Sequence, residues 1–269
     1  MEEQQIKGFL DTPALWEGEL FGVDQFQLPN IDLTGFVAQP IPQNIRLGHQ
    51  VEHLYYQVLH HHKRYQVLLF NQPIKSESRT IGEIDFIVQD TETNKLIHIE
   101  LTYKFYIIDL SIPEKINQLI GPNKRDSFAQ KIEKIKYQQF TLLQTNEAIQ
   151  TLEDLHIDTT DISSRTCFKA QLYAPYTSNK IDILPFNNNC IYGYWLGFHD
   201  FDTIEFHHHL YYLPTKKEWI IRPHENVTWH THQEISIEIK KRHMQLNSPM
   251  VWMKKYNQSF EKFFIIFWA

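Results

Sequence analysis

Residues 81–108 constrain the fold more than any other stretch of the chain. Ile81–Gln89 and Leu96–Ile108 are two β-rich runs, and the polar segment Asp90-Thr91-Glu92-Thr93-Asn94-Lys95 between them reads as a hairpin turn. Side chains alternate along a strand, so Glu83 and Asp85 share one face of the first run, and Glu100, Thr102 and Lys104 share one face of the second. Alternating charges ordinarily mark the solvated face of an antiparallel sheet. Here Ile84, Phe86 and Val88 make an apolar face, and Phe105-Tyr106-Ile107-Ile108 continue as the near-continuous apolar run of a strand covered on both sides. A carboxylate on a covered strand needs a partner. If the two acidic faces coincide, Asp85 and Glu100 stand across one strand gap of about 5 Å, close enough to share Mg²⁺ or Mn²⁺ through hard oxygen ligands. A nearby lysine would then offset charge building on a phosphate and orient the attacking water.

The flanking segments place this pair in a longer order. Apolar residues at 47, 51, 54, 55, 58 and 59 mark one face of a helix over about 47–61, followed by a β-rich run at Tyr65–Phe70. Gly121-Pro122-Asn123 breaks the chain, and Ser127 with Gln130 has the capping-box pattern of a second helix whose apolar positions are Phe128, Ile132, Ile135 and Leu142. Thr166–Ala174 alternates as a fourth strand. The expected order is helix, strand, strand, strand, helix, strand, an α/β (α+β) core over residues 46–175. Residues 1–45, rich in proline with scattered apolar anchors such as Phe9 and Trp16, read as an arm packed on that core. Residues 176–269 form an aromatic-rich extension of the same globule, with a strand pair near Met250–Phe267.

Composition narrows the function. With 26 Lys+Arg against 32 Asp+Glu, the net charge of −6 argues against indiscriminate coating of DNA, which depends on phosphate neutralisation. Local basic groups remain: Lys124 and Arg125, and the stretch 239–256, which carries Lys240, Lys241, Arg242, Lys254 and Lys255 with Trp252 and no acid. Such a stripe suits a phosphate backbone and a stacked base, while a solvated helix face is its commoner origin. Cys167 and Cys190 have no Cys-x-x-Cys spacing, Met1–Gln5 has no apolar leader core, and Phe263–Ala269 is too short to span a bilayer, so the chain reads as soluble and cytoplasmic. His207-His208-His209 and His230-x-His232 have the residue type for zinc or copper, but spacing specifies no third ligand, and polar surface or core lining is their default reading. Walker and G-x-G-x-x-G loops and Ser or Cys nucleophile motifs are absent, so no small-molecule cofactor is indicated.

The element order and Gly82-Glu83-Ile84-Asp85 resemble the PD-(D/E)XK nuclease (restriction endonuclease-like) superfamily, whose core is a helix, a three-stranded meander, a helix and a strand. The resemblance implies a Mg²⁺-dependent endonuclease or exonuclease acting on DNA or RNA, with Asp85 and Glu100 as metal ligands. Glu52, on the first helix, is similar to a glutamate that many members bring to the metal. The superfamily's E-x-K tripeptide departs here: Thr102 stands two residues after Glu100, and Lys104 comes one side-chain pitch further along, about 7 Å. Glu52, Gly82–Asp85, Glu100-Leu101-x-x-Lys104-Phe105, Gly121-Pro122-Asn123 with Asp126, Gln138 or Gln139, and Glu261-x-Phe263-Phe264-Ile265 together resemble a bacterial family catalogued as a domain of unknown function and assigned to that superfamily. The displaced lysine is part of that family's pattern. The alternative expectation is a catalytically inactive relative serving as a nucleic-acid or protein interaction module.

Overall fold

The computed structural model describes residues 2–178 and 181–269. In chain order the elements are α1 (Glu2–Asp11), β1 (Glu19–Leu20), β2 (Val23–Asp24), α2 (Leu47–His61), β3 (Tyr65–Ser76), β4 (Arg79–Asp90), β5 (Leu96–Ile108), β6 (Leu119–Ile120) and α3 (Phe128–Lys134). A π-helical turn (Ile135–Gln139) follows, then α4 (Phe140–Leu142), α5 (Asn146–Asp154), β7 (Ile162–Pro175), β8 (Ile191–Gly197), α6 (Phe198–Phe201), β9 (Leu210–Tyr212), β10 (His230–Thr231), α7 (His232–Met244), β11 (Met250–Lys254) and β12 (Phe260–Ile266). The fold is mixed α/β, and the expected sequence of helix, three strands, helix and strand is present as α2, β3, β4, β5, α3 and β7. Among the described residues no helix is long and apolar enough to cross a membrane.

The chain forms two compact units. The first comprises Met1–Leu10, Ala14–Tyr103 and Gln130–Lys169. Its strands run in the order β7-β5-β4-β3, with β3 antiparallel to β4 and β4 to β5. An edge position explains how β3 carries Pro73, which cannot donate to a ladder. Helix α2 forms where the apolar spacing predicts, and Val51, Leu54, Tyr55, Val58 and Leu59 are its buried face. Tyr55 meets Phe86 of β4 edge-on with ring centroids 5.1 Å apart. Each such burial is worth about 1.5–3 kcal/mol, so this one face fixes the helix against the strands. A second cluster of Ile74, Ile84, Ile87, Leu142, Leu152 and Ile157 joins β3 and β4 to α4 and α5. At Gly82 an added Cβ would lie 2.7 Å from a Leu142 methyl, so the glycine of the Gly-Glu-x-Asp motif admits this packing. The N-terminal arm begins with a helix: α1 buries Ile6 and Phe9, and Phe9 packs on Tyr55 at 5.6 Å.

The second unit comprises Asp11–Pro13, Lys104–Ala129 and Ala170–Ala269. Its strands follow the order β10-β9-β11-β12-β8-β7, antiparallel from β10 to β12 and parallel between β12, β8 and the end of β7. The strand pair expected near the C-terminus is β11 and β12. Phe201, Phe206, Tyr211, Ile235, Ile239, Val251 and Phe263 form its buried cluster. Lys262 is fully enclosed on β12, where its Nζ donates to Gln171 Oε1 at 2.8 Å, to the Ile221 carbonyl at 3.2 Å and to the Trp219 carbonyl. These acceptors take up all three N–H bonds of an ammonium, whereas burial pulls its pKa well below the usual lysine range.

Candidate metal centre

The acids of the first unit meet where a strand ladder ends. Strands β4 and β5 pair Val88 with Ile97, Ile87 with His98 and Phe86 with Ile99. The paired ladder ends at Phe86–Ile99, one residue short of Asp85 and Glu100. There the side chain takes over from the backbone: Asp85 Oδ2 accepts from the Leu101 N–H at 2.9 Å. The carboxylate is thereby fixed at the mouth of the strand pair, with Asp85 8% and Glu100 1% exposed. Both carboxyl groups are held above the ordinary carboxylate range, Asp85 by burial and then by the charges of Glu100 and Glu52. Burial also raises Glu100, opposed by Lys131 and Gln139. Two buried acids in mutual repulsion favour sharing a proton or a cation over ionising together.

Four further elements, α2, β3, α3 and the π-helical turn, complete the cluster. From α2, Glu52 Oε2 accepts from Asn71 Nδ2 at 2.9 Å and meets His49 Nδ1 at 2.9 Å. The hydrogen bond to Glu52 raises the His49 pKa. Asn71 has φ of +49° in the middle of β3, a left-handed conformation that asparagine tolerates better than most residues. From α3, Lys131 Nζ donates to Glu100 Oε1 at 3.1 Å and to Gln139 Oε1 at 3.0 Å. Gln139, which closes the π-helical turn, donates to the same Glu100 oxygen. Among the described residues Glu100 Oε2 and Thr102 Oγ1 are buried with no hydrogen-bond partner. The three carboxylates offer hard oxygen ligands, one of them an unpartnered buried oxygen, but among the described residues their ligand atoms do not all lie within 4.8 Å of one another.

Asp85 therefore lies within electrostatic reach of both Glu100 and Glu52. Lys104 is held otherwise than expected: in the second unit its Nζ donates to Asp126 Oδ2 at 2.7 Å, and the lysine bonded to Glu100 is Lys131. Nothing in the sequence singles out Lys131, because helical spacing does not say which residue of a turn faces a strand. Asn71 had no signal, since it lies just past the run Tyr65–Phe70 that reads as strand, and β3 continues through it to Ser76.

The basic residues proposed for phosphate contact divide. Lys124, Arg125, Lys240 and Arg242 are exposed, with Lys124 Nζ 3.6 Å from the Trp268 ring centre, while Lys241 is paired with Glu238 at 2.6 Å. Trp252 cannot stack a base because it is fully buried, and Lys254 and Lys255 are paired with Glu225 and Glu261. Of the pair His230-x-His232, His230 lies on β10 and His232 begins α7.

A family described as "Domain of unknown function (DUF1853)" matches residues 23–264 of the chain. Comparison with curated proteins and with solved structures finds no match.

Proposed function

The chain belongs to the DUF1853 family, and from the acids gathered beside β4 and β5 we propose that it is a divalent-cation-dependent phosphodiesterase of the PD-(D/E)XK nuclease-like superfamily, acting on DNA or RNA. The observation that carries this reading is Asp85, a buried carboxyl raised by both Glu100 and Glu52. Asp85 and Glu100 are assigned as ligands for Mg²⁺ or Mn²⁺, with Glu52 as the third acid. Bound there, such an ion supplies Lewis-acid stabilisation of the charge that gathers on a phosphoryl group under attack.

The chain's own residues do the rest. Leu101 N–H and the Asn71 amide fix the orientation of Asp85 and Glu52 respectively. Lys131 takes the role expected of Lys104: its ammonium, shared between Glu100 and Gln139, is the donor available to an anionic phosphate oxygen at this cluster. Lys124, Arg125, Lys240 and Arg242 are assigned to sequence-independent backbone contacts.

One observation favours the second reading, a non-catalytic nucleic-acid or protein interaction module. Glu100 Oε1 is already bonded by Lys131 and Gln139, so the protein's own cation closes part of the cluster. Cleavage of end-labelled single- and double-stranded DNA and RNA separates the two. The enzyme reading expects cleavage in Mg²⁺ or Mn²⁺, none in a chelator, and a loss of at least about 100-fold in Asp85→Asn, Glu100→Gln and Lys131→Ala. Cleavage that survives all three substitutions discredits this site. No cleavage of any substrate, with magnesium binding absent by calorimetry, leaves the module.

A further inference from the structure

The second unit holds a cluster whose ligand types differ from the acids already described. Asp202, His207 and His232 each bring one ligand atom within 4.8 Å of the other two, the only such trio of His, Cys, Asp or Glu among the described residues. They come from two segments: Asp202 and His207 from the turns after α6, and His232 from the first position of α7.

His232 is the fixed point. Its side chain is buried, its ring lies 4.6 Å from the Phe201 ring, and its Nε2 is 3.0 Å from the Phe201 carbonyl oxygen. A carbonyl oxygen only accepts, so Nε2 carries the hydrogen and Nδ1 keeps its lone pair. A backbone carbonyl on one ring nitrogen is the arrangement that orients a metal-binding histidine and sets its tautomer. The His207 ring stands 4.5 Å from that of His232, centre to centre. Among the described residues no hydrogen bond engages the His207 ring or the Asp202 carboxylate, and both residues are exposed. Tetrahedral zinc with bonds of about 2.0–2.2 Å sets its ligand atoms about 3.3–3.5 Å apart, so closing the trio needs movements of about an ångström by two surface side chains.

We propose that Asp202, His207 and His232 bind a zinc-class divalent ion, with water in the fourth position. The ion clips the 202–209 turns to the start of α7. Imidazole nitrogens suit Zn²⁺ and similar transition metals, and Mg²⁺ poorly, so the site and the three acids of the first unit sort metals differently.

The test uses the full chain, stripped with a chelator and titrated with Zn²⁺ by calorimetry and by competition with a chromophoric chelator. The expected result is one zinc per chain, with affinity at least about 10-fold weaker in His207→Ala and in Asp202→Asn, both exposed positions, and unchanged in Asp85→Asn. Co²⁺ should give the visible absorption of a tetrahedral site in the native chain and lose it in His207→Ala. Zinc should also raise the melting midpoint of the native chain and not that of Asp202→Asn. Zinc affinity unaltered in the Asp202→Asn/His207→Ala double variant overturns the assignment, as does the absence of saturable zinc binding to the native chain.

Discussion

At Asp85, burial and two neighbouring acids act in the same direction. The folded chain therefore holds a proton where the unfolded chain, with an ordinary aspartate, has released it, and stability declines as pH rises above the ordinary carboxylate range. Asp85→Asn keeps an acceptor for the Leu101 N–H and removes the charge. We expect a higher melting midpoint than the native chain at pH 7, at about 2–4 °C per kcal/mol regained, and no difference near pH 4. Calorimetry at both pH values decides it, and equal midpoints throughout would remove the premise of a strained acid pair. His98 works with the opposite sign. Burial lowers its pKa to about 4, its Nδ1 lies 3.0 Å from Ser164 Oγ, and the unfolded chain takes up the proton first. Its contribution is complete above the unfolded value of about 6.5 and is lost on acidification toward about 4, a change on the order of 3 kcal/mol. Denaturant titrations at pH 7 and pH 4 should show that loss in the native chain and a reduced one in His98→Asn. Of these residues, Asp85 and Glu100 were legible because alternation fixes which side chains share a face. His98 was not, since one histidine between apolar neighbours looks alike whether its strand is covered or open.

At the scale of elements, the Glu100 interaction depends on a helix that changes its winding. Lys131 and Gln139 lie eight positions apart, and both reach one oxygen of Glu100 through the π-helical turn between them. Such turns are rare and recur at functional sites. Removing the cation while keeping its volume, as in Lys131→Met, leaves Glu100 buried with the Gln139 amide but no countercharge, which costs about 3–5 kcal/mol. Adding Glu100→Gln should recover most of that loss, so a double-mutant cycle in urea reads a coupling energy of the same order. Additive losses would mean that the two side chains do not support each other. The helix itself was visible in the spacing of Phe128, Ile132, Ile135 and Leu142, and α2 was legible to its end residues for the same reason. The π-helical turn was not, because one extra residue per turn leaves these apolar positions compatible with an ordinary helix. The short α1 and α5 escaped for lack of length: each offers only about two buried apolar positions, too few to establish a period.

For the whole molecule the question is how a chain with a net charge of −6 would engage the polyanion proposed as its substrate. Its two units draw on separated segments, with β5 and β7 contributing residues to both, an assembly that no local pattern encodes. Lys124 and Arg125 are exposed cations in the second unit, and the three acids of the first are the proposed place for a divalent ion. These two features predict different dependences on salt and metal. Each phosphate contact by a basic side chain contributes about −0.9 to the slope of log affinity against log salt for duplex DNA. Replacing Lys124 and Arg125 together by alanine should therefore weaken duplex binding at low salt and flatten the slope by about 2, with little change in its response to Mg²⁺. Asp85→Asn should do the reverse, leaving the salt slope intact and removing the part of the affinity that Mg²⁺ adds. Fluorescence anisotropy with one labelled duplex, run across salt with and without Mg²⁺, measures both. A slope unchanged in the Lys124→Ala/Arg125→Ala variant would take that basic pair out of the nucleic-acid surface, and the net negative charge would then stand as evidence for a partner other than nucleic acid.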